Sequence, residues 1–350
     1  MDTILANSAD TIPKICVDEI LANSADTIPK ICVDEMTKSV DTILTNSVDK
    51  IPAKSVDRIT AKSIVHKAKK PAMWFGAEYN MNIYRGCTHG CIYCDSRSDC
   101  YRNPDFDKVK AKEKALELIR NDLRRKTRSG VIATGSMSDP YNPIEKGSLL
   151  TRNALELINA FGFGVAIATK STLVTRDIDI LQDIKAHSPV IVKITITSVN
   201  DGECGLIEPG APVASERFSS LKALSDAGIF CGVLMMPILP FINDTETNIR
   251  GLLTRAKESG AKFVYPSFGM TLRSGNREYY YSRLDALFPG LKEKYIKKYG
   301  DRYQCSSPKA RALWDVFKGE CGSLGLLHEM QGITHRYKLG YEGIQLSLFD

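Results

Sequence analysis

The sequence has no run of about 18 apolar residues, the length a helix needs to cross a bilayer, so a helical membrane span is excluded. Nor does it open with the basic start, apolar block and small-residue cleavage site of a secretory signal. The expected location is therefore the cytoplasm, with no membrane partner. A large charge excess is missing too: 47 Lys and Arg against 41 Asp and Glu leave a formal +6, which permits a polyanionic partner without demanding one. Hydrophobic poverty, the mark of a disordered chain, is also absent. With 43% hydrophobic residues over 350 positions, the chain can bury one large core. In a reducing compartment its 10 cysteines, where clustered, bind metal or do redox chemistry more often than they pair as disulfides.

What is present falls into segments. Leu5 to Glu19 recurs unchanged from Leu21 to Glu35, and a shorter octad continues from Ser39, Ser47 and Ser55. The unit is too short for helical-hairpin repeats, and Pro13, Pro29 and Pro52 oppose a long regular element. Residues 1–70 thus read as a flexible or weakly structured extension, with a docking or targeting role as the alternative. Cys16 and Cys32 belong to the repeat and are not expected as metal ligands.

From Pro71 onward, short β-rich runs alternate with amphipathic stretches, the pattern of a parallel α/β domain. Strands are expected at 80–84, 131–134, 164–169, 190–197, 229–236 and 262–267. Between them, helical faces are marked by Leu116, Ile119 and Leu123, by Leu155 and Ile158, and by Phe218, Leu221 and Leu224 ending at Gly228. A further helix is expected to begin at Asn243, with Glu246 three residues on as in a capping box. Such βα units build a partial barrel or an open doubly wound sheet, and either puts chemistry at the carboxyl ends of its strands. The core covers 71–270, a helical C-terminal extension 271–340, and a tail 341–350.

Just after the first expected strand, Cys87, Cys91 and Cys94 stand in a CxxxCxxC spacing on a glycine-containing loop. A 4Fe-4S cubane takes four ligands, so three close thiolates leave one iron open. A zinc site would want a fourth protein ligand, for which Cys100 or His89 is the candidate, but structural zinc usually joins two such knuckles across a longer loop.

This motif, with an aromatic before its last cysteine and a repeating βα domain around it, resembles the radical SAM superfamily. The resemblance implies a partial (β/α)6 TIM-type barrel, a 4Fe-4S cluster, and S-adenosylmethionine chelated at the open iron and cleaved reductively to a 5′-deoxyadenosyl radical. It also implies an electron donor such as flavodoxin or ferredoxin. By position in the motif Tyr93 would lie against the adenine, the alternative being a core aromatic. The resemblance covers roughly residues 75 to 325 and is closest to the spore photoproduct lyase-like branch. It implies Ser138, within Thr134 to Tyr141, at the methionine end of the cofactor, where Pro143-Ile144-Glu145 also follows the second strand. Lys170 would neutralise the cofactor carboxylate. Ser198, with Thr197 in reserve, would meet the ribose, and Arg217 would reach the carboxylate or pair with Glu208.

Two departures limit the carry-over. Met137 stands where spore photoproduct lyases proper carry a hydrogen-donating cysteine, and its thioether has no S–H to give. Asp95 stands where they place a tyrosine. Cys204, Cys231, Cys305 and Cys321 are substitute donors or simply small core residues.

The branch implies a nucleic-acid lesion or nucleotide as substrate. Clusters at Arg120, Arg124, Arg125, Lys126 and Arg128, and at Arg273, Arg277, Tyr279, Tyr280 and Tyr281, suit backbone tracking and base stacking. Helix-end cations and packed tyrosines explain them equally well. Two alternatives are a radical SAM enzyme acting on a peptide or small molecule, and a non-catalytic metal-cluster protein that binds nucleic acid. In the tail, Gln345, Leu346, Leu348 and Phe349 resemble the linear motif that binds the bacterial DNA-polymerase sliding clamp. A last strand packing Leu346 and Leu348 inward is the alternative.

Overall fold

The computed structural model describes residues 57–70 and 74–341, so the repeats up to residue 56 and the tail with Gln345, Leu346, Leu348 and Phe349 lie outside the described residues. Six parallel strands lie side by side in chain order: β1 (Tyr79–Met81), β2 (Val131–Thr134), β3 (Gly164–Thr169), β4 (Val190–Thr195), β5 (Cys231–Met235) and β6 (Phe263–Pro266). Runs such as Val-Ile-Val-Lys-Ile-Thr in β4 are β-branched at nearly every position, which suits a strand covered on both faces. The antiparallel strand Val65–Lys67 finishes one edge beside β1. At the other edge a single bridge joins Phe263 to Leu327. The sheet does not close on itself, and the architecture is a partial (β/α)6 barrel.

Helices α1 (Ala115–Arg124), α2 (Leu150–Ala160), α3 (Ile178–Lys185), α4 (Ala214–Asp226) and α5 (Glu246–Glu258) follow β1 to β5. Their apolar stripes, including Leu116, Ile119 and Leu123 on α1, bury against Ile132, Ile167, Val192, Ile194 and Val233 on the outer face of the sheet. None of the described helices is long and apolar enough to cross a membrane.

The C-terminal region supplies α6 (Asn276–Leu287), α7 (Leu291–Tyr299), α8 (Ala310–Leu324) and α9 (Met330–Lys338). Leu313 and Phe317 of α8 join the outer core. Ile333 and Tyr337 of α9, with Phe75, fill the inner face against Val131, Ala166, Ile191 and Phe263. Tyr280 and Tyr295, from α6 and α7, pack with Cys91, Ile92 and Tyr93 of the cysteine loop.

The structure shifts several expected boundaries. The 80–84 run divides, because Tyr84–Arg85 turns away to pair antiparallel with Lys110–Lys112. The fourth strand stops at Thr195 rather than at residue 197. The cap of α5 is Thr245, whose hydroxyl accepts from the Asn248 N–H at 3.2 Å. Asn243 instead faces inward, accepting from the Leu239 N–H and donating to the Thr197 carbonyl. Of the cation–tyrosine cluster, Tyr280 is buried with its hydroxyl on Tyr295, and Arg277 donates to the carbonyls of Leu272, Gly300, Asp301 and Arg302. Those two side chains hold the C-terminal region together and offer no stacking surface.

Asp122 on α1 anchors the edge strand, accepting from the Ile64 and Val65 N–H groups at 2.6 and 2.9 Å and from the Ser63 hydroxyl at 2.9 Å. Burial works against its charge, but these donors outweigh it and hold the carboxyl below its ordinary value. Asp122→Ala should therefore destabilise the protein by about 1 to 3 kcal/mol in urea unfolding, through backbone donors left unmade. The sign with pH follows from the depressed folded value: the contribution is present above the unfolded value of about 3.9 and is lost as pH falls through the folded one. The gap between wild type and variant should close on acidification; a gap constant down to pH about 2 would show that the charge plays no part.

Candidate active site

The cysteine loop leaves the short Tyr84–Arg85 strand through Gly86, whose φ of +84° and crowding against the Phe106 and Lys108 carbonyls admit no side chain. Backbone bonds then fix its course. The Cys87 N–H donates to Phe106, the Ile92 N–H to Ile207, and the Gly210 N–H to the His89 carbonyl. The three cysteines are thereby brought together with the carboxyl ends of the strands, around one cavity of about 590 Å³. Its lining includes Cys87, Cys91, Cys94 and Tyr93 from this loop, Thr134 at the end of β2 and Ser138 beyond it, Thr169 at the end of β3 and Lys170 beyond it, and Thr195 at the end of β4.

Asp139 is the junction of the site, and the sequence reading passed over it. Its carboxylate accepts from the Thr169 hydroxyl at 2.6 Å, the Lys170 N–H at 2.8 Å and the Tyr141 N–H at 2.9 Å, and lies 3.4 Å from Nδ1 of buried His89. The Ser138 hydroxyl next to it donates to the Gly86 carbonyl at 2.5 Å. One turn after β2 thus binds the loop after β3 and the cysteine loop to each other.

Beneath the cysteine loop runs a buried polar chain. The Tyr93 hydroxyl donates to Glu208, and Glu208 touches the Arg217 guanidinium at 2.5 Å, out of line for a hydrogen bond. Arg217 donates to the Pro212 and Thr195 carbonyls at 2.6 and 3.0 Å. Burial opposes the Glu208 charge, yet Arg217 and Lys170 outweigh it and hold the carboxyl below its ordinary value. Lys170 is held above its own: burial opposes its charge, but the fields of Cys91 and Glu208 prevail. Its ammonium sits 5.7 Å from the Tyr93 ring.

Burial pushes the three thiols up, Cys87 to about 11 with help from Asp139, and Cys91 and Cys94 likewise above their ordinary value. Each of Cys87 and Cys91 feels the charge of its neighbours in the motif, so the three lie together. Thiolates here need a cationic partner.

Of the residues expected at the site, Tyr93, Ser138 and Lys170 line the cavity with the three cysteines, while Ser198 and Arg217 do not. The Ser198 hydroxyl donates to Glu203 and accepts from the Asn200 N–H, shaping the start of the helix Asp201–Ile207. Thr197 is buried off the cavity with its hydroxyl unpartnered. Inward alternation had been carried past the real end of β4; Thr195 is the hydroxyl that faces the cavity. Arg217 pairs with Glu208, one of the two roles left open for it. Glu145 also turns away, taking bonds from the Tyr84 hydroxyl, the Thr151 N–H and Arg176. Cys204, Cys231, Cys305 and Cys321 are buried in the core and none lines the cavity, whereas Met137 does.

A family model described as the Radical SAM superfamily matches residues 81–252. An uncharacterized protein of Methanocaldococcus jannaschii is 38% identical over 186 residues, 51% of this chain and 69% of that one. Another, from Mycobacterium tuberculosis, is 31% identical over 229 residues, 63% of this chain and 67% of the relative. A protein of Pseudomonas phage M6 named as a radical SAM Nalpha-GlyT isomerase is 25% identical over 182 residues, 52% of this chain and 37% of its own. Among solved structures, spore photoproduct lyase complexed with dinucleoside spore photoproduct superposes with a TM-score of 0.56 at 15% identity, covering 84% of this chain and 92% of the other.

The buried ion pair gives a stability test. Arg217→Met, which strips buried Glu208 of its ion-pair partner and leaves it only Tyr93 and the field of Lys170, should lose about 3 to 5 kcal/mol in urea unfolding. Adding Glu208→Gln should recover a large part of that loss. A double variant as unstable as the single one would mean that the guanidinium acts through its carbonyl contacts alone.

Proposed function

This chain belongs to the radical SAM superfamily, and on that premise we propose that Cys87, Cys91 and Cys94 hold a 4Fe-4S cluster, that S-adenosylmethionine occupies the adjoining cavity, and that the substrate is a nucleic-acid lesion or nucleotide. The observation that carries the reading is the single cavity shared by the three cysteines and the polar ends of β2, β3 and β4. The donor set fits the cluster. Among the described residues no three His, Cys, Asp or Glu side chains converge as a single metal ion requires. A cubane seats each thiolate on a different iron, so three neighbouring cysteines need not converge on one point. When bound, the pair supplies one-electron cleavage of S-adenosylmethionine to a carbon-centred radical able to abstract hydrogen.

The chain's own groups have separable tasks. Lys170, half-buried on the lining and held above its ordinary value by Cys91 and Glu208, neutralises a carboxylate. Ser138 and Asp139 fix the loop beside it, and Thr195 offers the inward hydroxyl that was first expected of Ser198. Tyr93 presents its ring edge-fixed by Glu208, and Arg217 positions both from behind.

For the substrate, support comes from exposed Trp74 and from Phe106 on the lining, and from Arg97 lying 4.9 Å from the Phe106 ring and 4.0 Å from that of Tyr279. The likeness to a lyase bound to a dinucleoside adds weight from the fold alone. With Met137 on the lining, and no cysteine there beyond the motif among the described residues, the reaction differs from one that draws hydrogen from a cavity thiol. An electron donor such as flavodoxin or ferredoxin belongs to the same reading, and so does clamp docking through the tail.

Anaerobically reconstituted protein should bind about one 4Fe-4S cluster, and the triple Cys87→Ala, Cys91→Ala, Cys94→Ala variant should bind none, read by iron and sulfide content and visible absorbance. After dithionite reduction, the native protein should release 5′-deoxyadenosine slowly. Lys170→Ala should weaken S-adenosylmethionine binding by about 10- to 150-fold, the equivalent of about 1.5 to 3 kcal/mol, with the cluster intact. Deuterium transferred from labelled oligonucleotides into 5′-deoxyadenosine would support the substrate assignment; transfer from peptides alone would overturn it while leaving the cofactor reading standing.

The tail calls for a separate titration of the full chain against sliding clamp. Micromolar binding that Leu348→Ala and Phe349→Ala abolish is expected of a short linear motif. Binding unaffected by those changes, or none, removes the clamp from the partners.

A further inference from the structure

Lys193 is the one lysine of β4, and it faces the inside of the barrel. Alternation sets its direction: Val192 and Ile194 lie in the outer core, Ile191 in the inner one, and Thr195 on the cavity lining. In register, Lys193 stands beside Ala168 of β3 and Gly232 of β5. Ala168 itself lines the cavity, as do Ala133 and Leu234 on the same inner face. The lysine itself is off the lining and sits one layer beneath it, level with one lining residue and two positions before another.

It is only 1% exposed. Its ammonium lies 4.7 Å from the Phe75 ring, and among the described residues it forms no hydrogen bond or ion pair. The inner-face elements around it offer Phe75, Val131, Ala133, Ala166, Leu234, Phe263, Ile333 and two phenols, Tyr265 and Tyr337. The Tyr337 hydroxyl is spent on the Phe75 carbonyl, and the carboxylate of Glu78 at the far end pairs with Lys338. No carboxylate compensates the amine, and burial alone pulls it down to about 7. An uncompensated lysine in an apolar setting is costly, and the bulk of the side chain could be replaced by methionine without that penalty.

We propose that Lys193 is a ligand-binding residue just beneath the floor of the cavity, its amine reaching past Ala168 to donate to a carboxylate or carbonyl oxygen of the bound substrate. The oxygen supplies the acceptor that the protein withholds, and the short side chain of Ala168 is the lining residue beside the amine in register. Ammonium and acceptor then stabilise each other in a site closed to water. The placement is independent of whether the substrate is a nucleobase, whose ring carbonyls are such acceptors, or a peptide.

The test is competitive trace acetylation of the reconstituted full-length protein across a pH series, with each lysine read by peptide mass spectrometry. Lys193 should titrate with a midpoint near 7, whereas surface lysines titrate near 10.4. Acetate, as a probe acceptor added at constant ionic strength, should raise the Lys193 midpoint saturably and leave surface lysines unmoved. Lys193→Met should fold and melt at a temperature equal to or above wild type, with its advantage fading as the pH rises from about 7 to 10.4, where the unfolded chain binds more protons than the folded one. A lysine that never acetylates, a midpoint indifferent to acetate, or a methionine variant that melts lower at pH 7 would each make Lys193 a structural residue and overturn the proposal.

Discussion

The site depends on the carboxylate of Asp139. A parallel sheet delivers its strand ends to one rim, but nothing in the ladder ties the loops beyond them together. Here one acidic group does so, collecting a side-chain hydroxyl and a backbone N–H after β3, a backbone N–H of its own turn, and a buried histidine of the cysteine loop. These donors come from three loops that meet only once the sheet has formed. The geometry of the cysteines is thus a consequence of the strand order, enforced through one group. Gly135 belongs to the same constraint: at φ +94°, a side chain there would run into the Ala168 carbonyl of β3.

The second ring of interactions concentrates charge where an apolar core would be more stable. Glu208, Arg217 and Tyr93 lie buried beside half-buried Lys170, and the shifts keep Lys170 and Arg217 positive and Glu208 negative. A buried ion pair of this kind rarely gains stability over a hydrophobic substitute. What it secures is orientation: Tyr93 cannot turn without breaking its bond to Glu208, and Glu208 is held from the other side by a guanidinium fixed on the Pro212 and Thr195 carbonyls. Rigidity at the ring is obtained at the expense of stability in the loop.

Much of this was legible in the residues. The six strands and the faces of α1, α2 and α4 follow from hydrophobic period, because the two-sided burial of a parallel sheet leaves β-branched runs that little else imitates. The cysteine motif is local, and spacing alone locates it. Ser198 lies off the cavity for a physical reason: alternation tells which side a residue faces only while the chain stays extended, and β4 ends at Thr195. Asn243 misled as a helix cap because its side chain satisfies two backbone groups across the loop, a use invisible from sequence spacing. Asp139 and Lys193 carry no local signal at all. An aspartate before proline reads as a turn, and a lysine within a strand reads as solvent-facing until the register sets it inside.

The inner face also shapes the cavity under the cysteine loop. Beyond Val131, the inward positions along β2 and β3 are small, Ala133, Ala166 and Ala168, followed by Gly135. Along β5 and β6 they are bulky, Leu234, Phe263 and Tyr265, and the ring of Phe263 already covers Gly232. The plug of Phe75, Ile333 and Tyr337 rises from the opposite end and stacks on the bulky side, where Phe75 lies 5.8 Å from Phe263 and 5.5 Å from Tyr265. The cavity is bounded by short side chains on the β2 and β3 side and by Leu234, Met236 and Met270 on the other. Volume is therefore apportioned by side-chain size strand by strand, and the polar groups at the rim, Thr134, Thr169 and Thr195, face the void that this apportioning leaves.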